Sequence, residues 1–129
     1  MQQKRRVIIA GSRSIADARI VAEILENDLR KGSIDPERDE IVHGGAKGVD
    51  SLAEDWALAA GFSVKKFPAE WAKYGKRAGF LRNFDMAEYA ASVPGGKLVL
   101  IWDGRSRGSA MMKDIARRAG LSIEETLVG

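Results

Sequence analysis

The stretch Ile41-Val42-His43-Gly44-Gly45-Ala46-Lys47-Gly48-Val49-Asp50, running on into Ser51-Leu52-Ala53-Glu54-Asp55-Trp56-Ala57, constrains this chain more than any other. A β-branched run leads into three glycines and a lysine, and apolar residues then recur with helical period. A strand, a glycine loop and a helix in that order bring bare backbone N–H groups and the positive end of a helix dipole to one point. Proteins hold phosphate at such junctions.

The remainder alternates in the same way. Residues 6–10 read as a buried strand closed by Gly11-Ser12-Arg13-Ser14, and Ile20, Val21, Ile24, Leu25 and Leu29 mark one face of a helix over 17–31, ended by Gly32. After a loop over 33–39 comes a strand at 40–43. The helix following Gly48 buries Val49, Leu52, Ala53, Trp56 and Ala60, with Asp50 or Ser51 capping its first turn. A strand at 62–67, an irregular loop over 69–80, a helix at 81–91 and a strand at 97–102 follow. The chain closes with a loop over 103–109, a helix at 109–119 and a strand at 122–127. Strands alternating with helices predict a parallel sheet covered on both faces. The expected architecture is α/β, a Rossmann-like three-layer sandwich around about five mainly parallel strands, with 1–129 as one domain.

Composition narrows the function classes. The chain has 129 residues, 45% hydrophobic and 30% charged, and carries a formal charge of +3. That charge permits an anionic ligand without requiring nucleic acid. It has no cysteine, hence no disulfide or thiolate metal site, which fits a reducing cytoplasm. Lys4-Arg5-Arg6 precedes an apolar run shorter than the roughly 7–15 residues of a secretory signal. We expect a cytoplasmic protein without a membrane segment.

Ligands of open α/β sheets bind at the carboxyl ends of the strands, near the switch in strand order. Three loops here meet that description: Gly11 to Ser14, Gly44 to Val49, and Gly104 to Ser109. Neither GxGxxG nor GxxxxGK[ST] is present, which argues against a dinucleotide dehydrogenase and a P-loop ATPase.

With GSRSI after the first strand, VHGGAKGVDSLAEDWA after the second, FPAEWAKYGKRAGFLRNFDM, and WDGRSRGSAMMKDIARRAG, the chain resembles the SLOG superfamily, and within it the small YspA/YpsA-related group of bacteria and phages. Relatives include the Smf/DprA DNA-processing proteins and the lonely-guy phosphoribohydrolases. The resemblance implies a pocket for a nucleotide or nucleotide-derived ligand, with no cofactor required. It places Gly11, Ser12 and Arg13 in a first ligand loop and Gly44, Gly45, Ala46 and Gly48 in a second, where N–H groups hold phosphate. It gives Asp50 a ribose hydroxyl, puts Arg82 and Asn83 at the start of a helix beside an anion, and sets Gly104, Gly108 and Ser109 at another helix start. Where the phosphoribohydrolases carry a catalytic glutamate, in GTxxE, the aligned residue here is Met112. A thioether neither transfers protons nor stabilises an oxocarbenium-like centre.

Other residues have their own readings. His43, the one histidine, stands beside the glycine loop; with no second histidine and no cysteine it packs or hydrogen-bonds locally, and no metal site is expected. Glu54 and Asp55 face solvent by their spacing. Glu70 and Asp103 are the carboxylates to test if the protein is a hydrolase. Trp71 and Tyr74, interleaved with Lys73, Lys76 and Arg77, suit base stacking and phosphate neutralisation, or the anchoring of their loop. Trp56 and Trp102 belong to the core.

These readings favour a binding or sensing domain for a nucleotide-derived molecule such as ADP-ribose or an NAD derivative, without catalysis. Two alternatives stand beside it. One is single-stranded DNA binding of the DprA type, through Lys65, Lys66, Lys73, Lys76, Arg77, Arg105, Arg107, Arg117 and Arg118. The other is N-glycosidic hydrolysis of a nucleotide. Apolar faces on the later helices would suit a homodimer.

Overall fold

The computed structural model describes residues 3–129. Five strands, β1 (Arg5–Gly11), β2 (Asp39–His43), β3 (Ser63–Lys66), β4 (Lys97–Trp102) and β5 (Ser122–Leu127), form one sheet in the order β3-β2-β1-β4-β5. Every pair is parallel. The order reverses between β1 and β4, so the crevice at their carboxyl ends is the natural ligand position. The fold is Rossmann-like, as the alternation of elements predicts.

Two apolar layers sandwich the sheet. Helices α1 (Ala18–Lys31) and α2 (Val49–Ala59) cover one face, where Val21, Leu25, Ala53 and Ala57 meet Val7, Ile9 and Ile41. Helices α4 (Ala78–Ala91) and α5 (Arg107–Arg118) cover the other, where Met86, Ala90, Met112 and Ala116 meet Ile8, Leu98 and Leu100. Successive residues of β1 and β4 therefore point into opposite layers and are buried on both sides, which explains their unbroken apolar runs. Asp17 caps α1 by accepting from the Arg19 N–H at 2.9 Å, and Gly32 closes it in a left-handed conformation, φ 76°.

Three readings of the sequence need correction. Residues 69–80 are mostly helical, not irregular: a single turn α3 (Trp71–Tyr74), a 3-10 turn (Gly75–Arg77), then α4, which starts at Ala78. Two glycines hide this helical period. Helix α5 begins at Arg107 with Ser106 at its N-cap, so Gly108 and Ser109 lie inside its first turn, not in the loop before it. Glu54 does not face solvent; it is half-buried and meets His43. Trp102 is buried in the core as read, and Trp56 is partly buried against it, its ring 5.7 Å from that of Phe62.

Candidate functional site

A cavity of about 590 Å³ opens at the carboxyl ends of β1 and β4, where the sheet order switches. All three predicted loops reach it: Ser12 and Arg13 after β1, Ala46 and Asp50 after β2, and Asp103, Gly108 and Ser109 after β4. Helix α4 supplies a fourth wall through Gly79, Arg82, Asn83 and Met86, spaced i, i+3, i+4, i+7, one helical face. Trp71 and Lys76 border it from the short turns before α4. Gly44, Gly45, Gly48 and Gly104 do not line it.

The glycine loop is wired inward. Asp50 Oδ2 accepts the Gly44 N–H at 3.0 Å and the Ala46 N–H at 3.4 Å, and the Gly45 N–H donates to His43 Nδ1 at 3.0 Å. The N–H groups of Gly44, Gly45 and Ala46, read as a phosphate cradle, are thus bonded within the loop. Asp50 does not cap α2, whose N-cap is Gly48 and has no side-chain cap bond. Burial pushes the Asp50 carboxyl above its usual range, opposed by Arg82 and by the two N–H donors. His43 is fully buried. Nδ1 accepts that bond, and Nε2 lies 3.4 Å from Glu54 Oε1 without a hydrogen bond.

Several glycines answer to the protein itself. A Cβ on Gly11 would lie 1.9 Å from the Ile101 carbonyl oxygen, so its bareness serves the β1–β4 pairing. A Cβ on Gly44 would meet the Arg82 guanidinium. Gly48 has φ 78°, and its Cβ would lie 2.5 Å from the Ser12 carbonyl oxygen, so both conformation and packing demand glycine there. Gly108 differs: its φ is ordinary and a Cβ would meet nothing within 4 Å. It lies in the first turn of α5, on the cavity wall, in open space.

Arg82 is in the second turn of α4 and bonded within the protein. It donates through Nη1 to the Gly44 carbonyl and through Nε to Asn83 Oδ1 at 2.8 Å. Burial pushes the guanidinium below its usual range; nearby Asp50 opposes this and Arg13 adds to it. Arg82 and Asn83 therefore brace the glycine loop as well as border the cavity. Arg13 is exposed on the rim. Ser12, 1% exposed, ties two loops: its Oγ accepts the Asp103 N–H at 3.0 Å and lies 3.1 Å from Ser106 Oγ.

At the start of α5, Asp103 Oδ1 accepts the N–H groups of Arg105 (2.8 Å) and Ser106 (2.9 Å), which hold its carboxyl below the usual range. The N–H groups of Gly108 and Ser109 have no acceptor among the described residues, the ordinary condition of a helix start and one that suits an anion. Ser109 is buried and Met112, one turn on, is 1% exposed on the cavity floor. Sequence reasoning does not name Phe80, Met86, Ser106 or Met111 for this wall; the α4 members follow from helical spacing once the helix is known to start at Ala78.

The family model described as YspA, cpYpsA-related SLOG family matches residues 5–74, more than half of the chain. The chain belongs to that family. The match takes in β1, the glycine loop and α2, and ends at Tyr74, before α4. Gene 61 protein of Mycobacterium phage D29 is 36% identical over 124 residues, covering 92% of this chain and 94% of that protein, so its similarity extends through α4 and α5. No solved structure matches. SLOG membership supports, at a coarse level, binding of a nucleotide-related ligand.

Other sequence candidates lie elsewhere. Glu70 is exposed and does not line the cavity. Of the basic residues considered for DNA, Lys73, Lys76 and Arg77 fall together in the short turns before α4. Lys65 and Lys66 sit on edge strand β3, while Arg117 and Arg118, at the far end of α5, engage Asp114 at 3.2 and 3.1 Å. Among the described residues no helix is long and apolar enough to cross a membrane.

Proposed function

We propose that this protein binds a nucleotide-derived ligand of the ADP-ribose or NAD type in the cavity between the β1, β4 and α4 loops, and acts as a binding or sensing module. The observation that carries this reading is Gly108. A glycine in a helix costs up to about 1 kcal/mol against alanine, and no neighbour in the chain requires it here. What its bareness opens is the approach to the N–H groups of α5, with Arg13 and Lys76 on the same cavity and Trp71 at its edge. Cation, helix start and indole suit phosphate at one end of a ligand and an aromatic base at the other. Met112 on the floor supports binding without glycosidic cleavage.

The test is a thermal-shift screen of ADP-ribose, NAD, AMP and cyclic nucleotides, with mass spectrometry of co-purified small molecules. At 100 times Kd a ligand adds about 2.7 kcal/mol, easily seen in a melt. Stabilisation that Gly108→Asp abolishes supports the reading; no stabilisation by any of them at millimolar concentration refutes it.

One observation favours hydrolysis as a second reading. Asp50 borders the cavity with its carboxyl raised by burial, a pattern common at acid–base sites. Release of free base from any nucleotide, lost in Asp50→Asn, would establish it.

A further inference from the structure

Residues 70–77 stand apart from the rest of the molecule. Every one is exposed, and neither α3 nor the 3-10 turn buries a single side chain. Their backbone bonds are internal: the Lys73 and Tyr74 N–H groups go to the Glu70 carbonyl at 3.1 and 3.0 Å, and the Gly75 N–H goes to Trp71. Among the described residues, no side chain of this segment makes a hydrogen bond or ion pair outside it. Gly75 divides it with φ 57° and ψ −135°, a conformation for glycine alone, and a Cβ there would meet nothing within 4 Å. The segment runs beside the cavity, to which it contributes Trp71 and Lys76.

An indole left 50% exposed at a cavity rim is costly in water unless something covers it. The ring stands over Gly79, in the first turn of α4, where an added Cβ would lie 3.4 Å from it. A segment with few buried contacts belongs to the low-stability end of a fold, where ligand-closing elements are found.

We infer that residues 70–77 are a strap that closes over the bound ligand, the Trp71 indole covering its heteroaromatic ring and the Lys76 ammonium meeting its anionic end. This inference rests on the nucleotide reading above and assigns that site its means of closure. Gly75 supplies the joint. The ligand class follows from the strap: planar, aromatic and negatively charged, such as a nucleoside phosphate.

Lys73, Lys76 and Arg77 put three exposed trypsin sites on the strap, so its closure is readable as protection from cleavage. The full chain is melted, and digested briefly with trypsin, with and without ADP-ribose, AMP and NAD. The strap predicts that whichever compound raises the melting temperature also slows cleavage at these three sites by about tenfold or more, since cleavage tracks the open population. In Trp71→Ala, affinity for that compound falls about tenfold, within the range of one lost base stack, while the melting temperature of the free protein stays put. A compound that raises the melting temperature but leaves strap cleavage unchanged overturns the strap and leaves the nucleotide reading standing. So does Trp71→Ala binding like wild type. No melting shift with any of the three overturns both.

Discussion

Asp50 Oδ2 accepts the backbone N–H of Gly44 from six residues further along the chain, at 3.0 Å, and does so in a site where the aspartate is 5% exposed. The first turn of α2 thereby holds the end of β2 and the glycine loop as one unit. Asp50→Ala leaves the N–H groups of Gly44 and Ala46 without that acceptor and Arg82 without its nearby charge. Unpaired buried groups of this kind cost about 1–3 kcal/mol each. We expect a loss of about 2 kcal/mol in chemical denaturation. Asp50→Asn, which keeps an accepting oxygen, should lose less than half of that.

Gly44 and Gly108 should respond oppositely to alanine. At Gly44 the new methyl runs into the Arg82 guanidinium, and overpacking of that kind costs about 1–3 kcal/mol. At Gly108 it enters open space in a helical turn, so Gly108→Ala should match or exceed wild-type stability, by up to about 1 kcal/mol. Nucleotide-induced stabilisation should nonetheless shrink in Gly108→Ala. A variant more stable than wild type with undiminished ligand shift would remove the main support for the proposed site.

The sheet was legible because its inner strands carry apolar residues on both faces, leaving 97–102 and 6–10 as runs that no amphipathic helix would show. The loops were legible because glycine, hydroxyl and cation recur at three strand ends. What each glycine is for was not: Gly11 answers to a carbonyl on β4, Gly44 to an arginine nearly forty residues on, and such partners are invisible in local sequence. Likewise Glu54 follows Asp50 by four residues, which places both on the side of α2 near the glycine loop. That spacing offered a signal, but only to a reading that already knew Asp50 turns back.

Away from the cavity, Asp28 predicts a pH dependence. Burial, and then the neighbouring Glu124 carboxyl, push its carboxyl from 3.8 up to about 7, against Lys97 and Lys31, and Asp28 Oδ2 is buried without a hydrogen-bond partner. Glu124, though burial pushes it up, is held below its usual range by Asp28 and by Lys97, whose Nζ lies 3.1 Å from its Oε1, so Asp28 is the member of the pair that keeps its proton. Between about pH 4 and 7 the folded protein keeps a proton that the unfolded chain has released, and stability falls as pH rises through that window. Asp28→Asn should flatten the slope. Melting curves from pH 4.5 to 8.5 test this; parallel wild-type and variant profiles would contradict it.

The last prediction concerns the homodimer that the later helices suggested. Phe80 and Phe84, one turn apart on α4, are 48% and 49% exposed, and both line a groove against Ile115 of α5 and Ala119, its C-cap. The same groove carries Glu88 on α4 and Arg118 on α5. A two-fold contact needs one surface that complements itself, and opposite charges flanking an apolar centre meet that need, each Glu88 facing the other copy's Arg118, whose partner within its own chain is Asp114 at 3.1 Å. Phe80 also borders the ligand cavity, so a second copy on this groove would sit beside the site. We expect sedimentation velocity at tens of micromolar to show a dimer, and Phe84→Asp to return it to monomer without lowering the melting temperature of dilute protein by more than about 3 °C. Glu88→Arg alone should weaken the dimer, and adding Arg118→Glu should restore it. A wild-type chain that stays monomeric at hundreds of micromolar would leave these phenylalanines with no second copy to cover them.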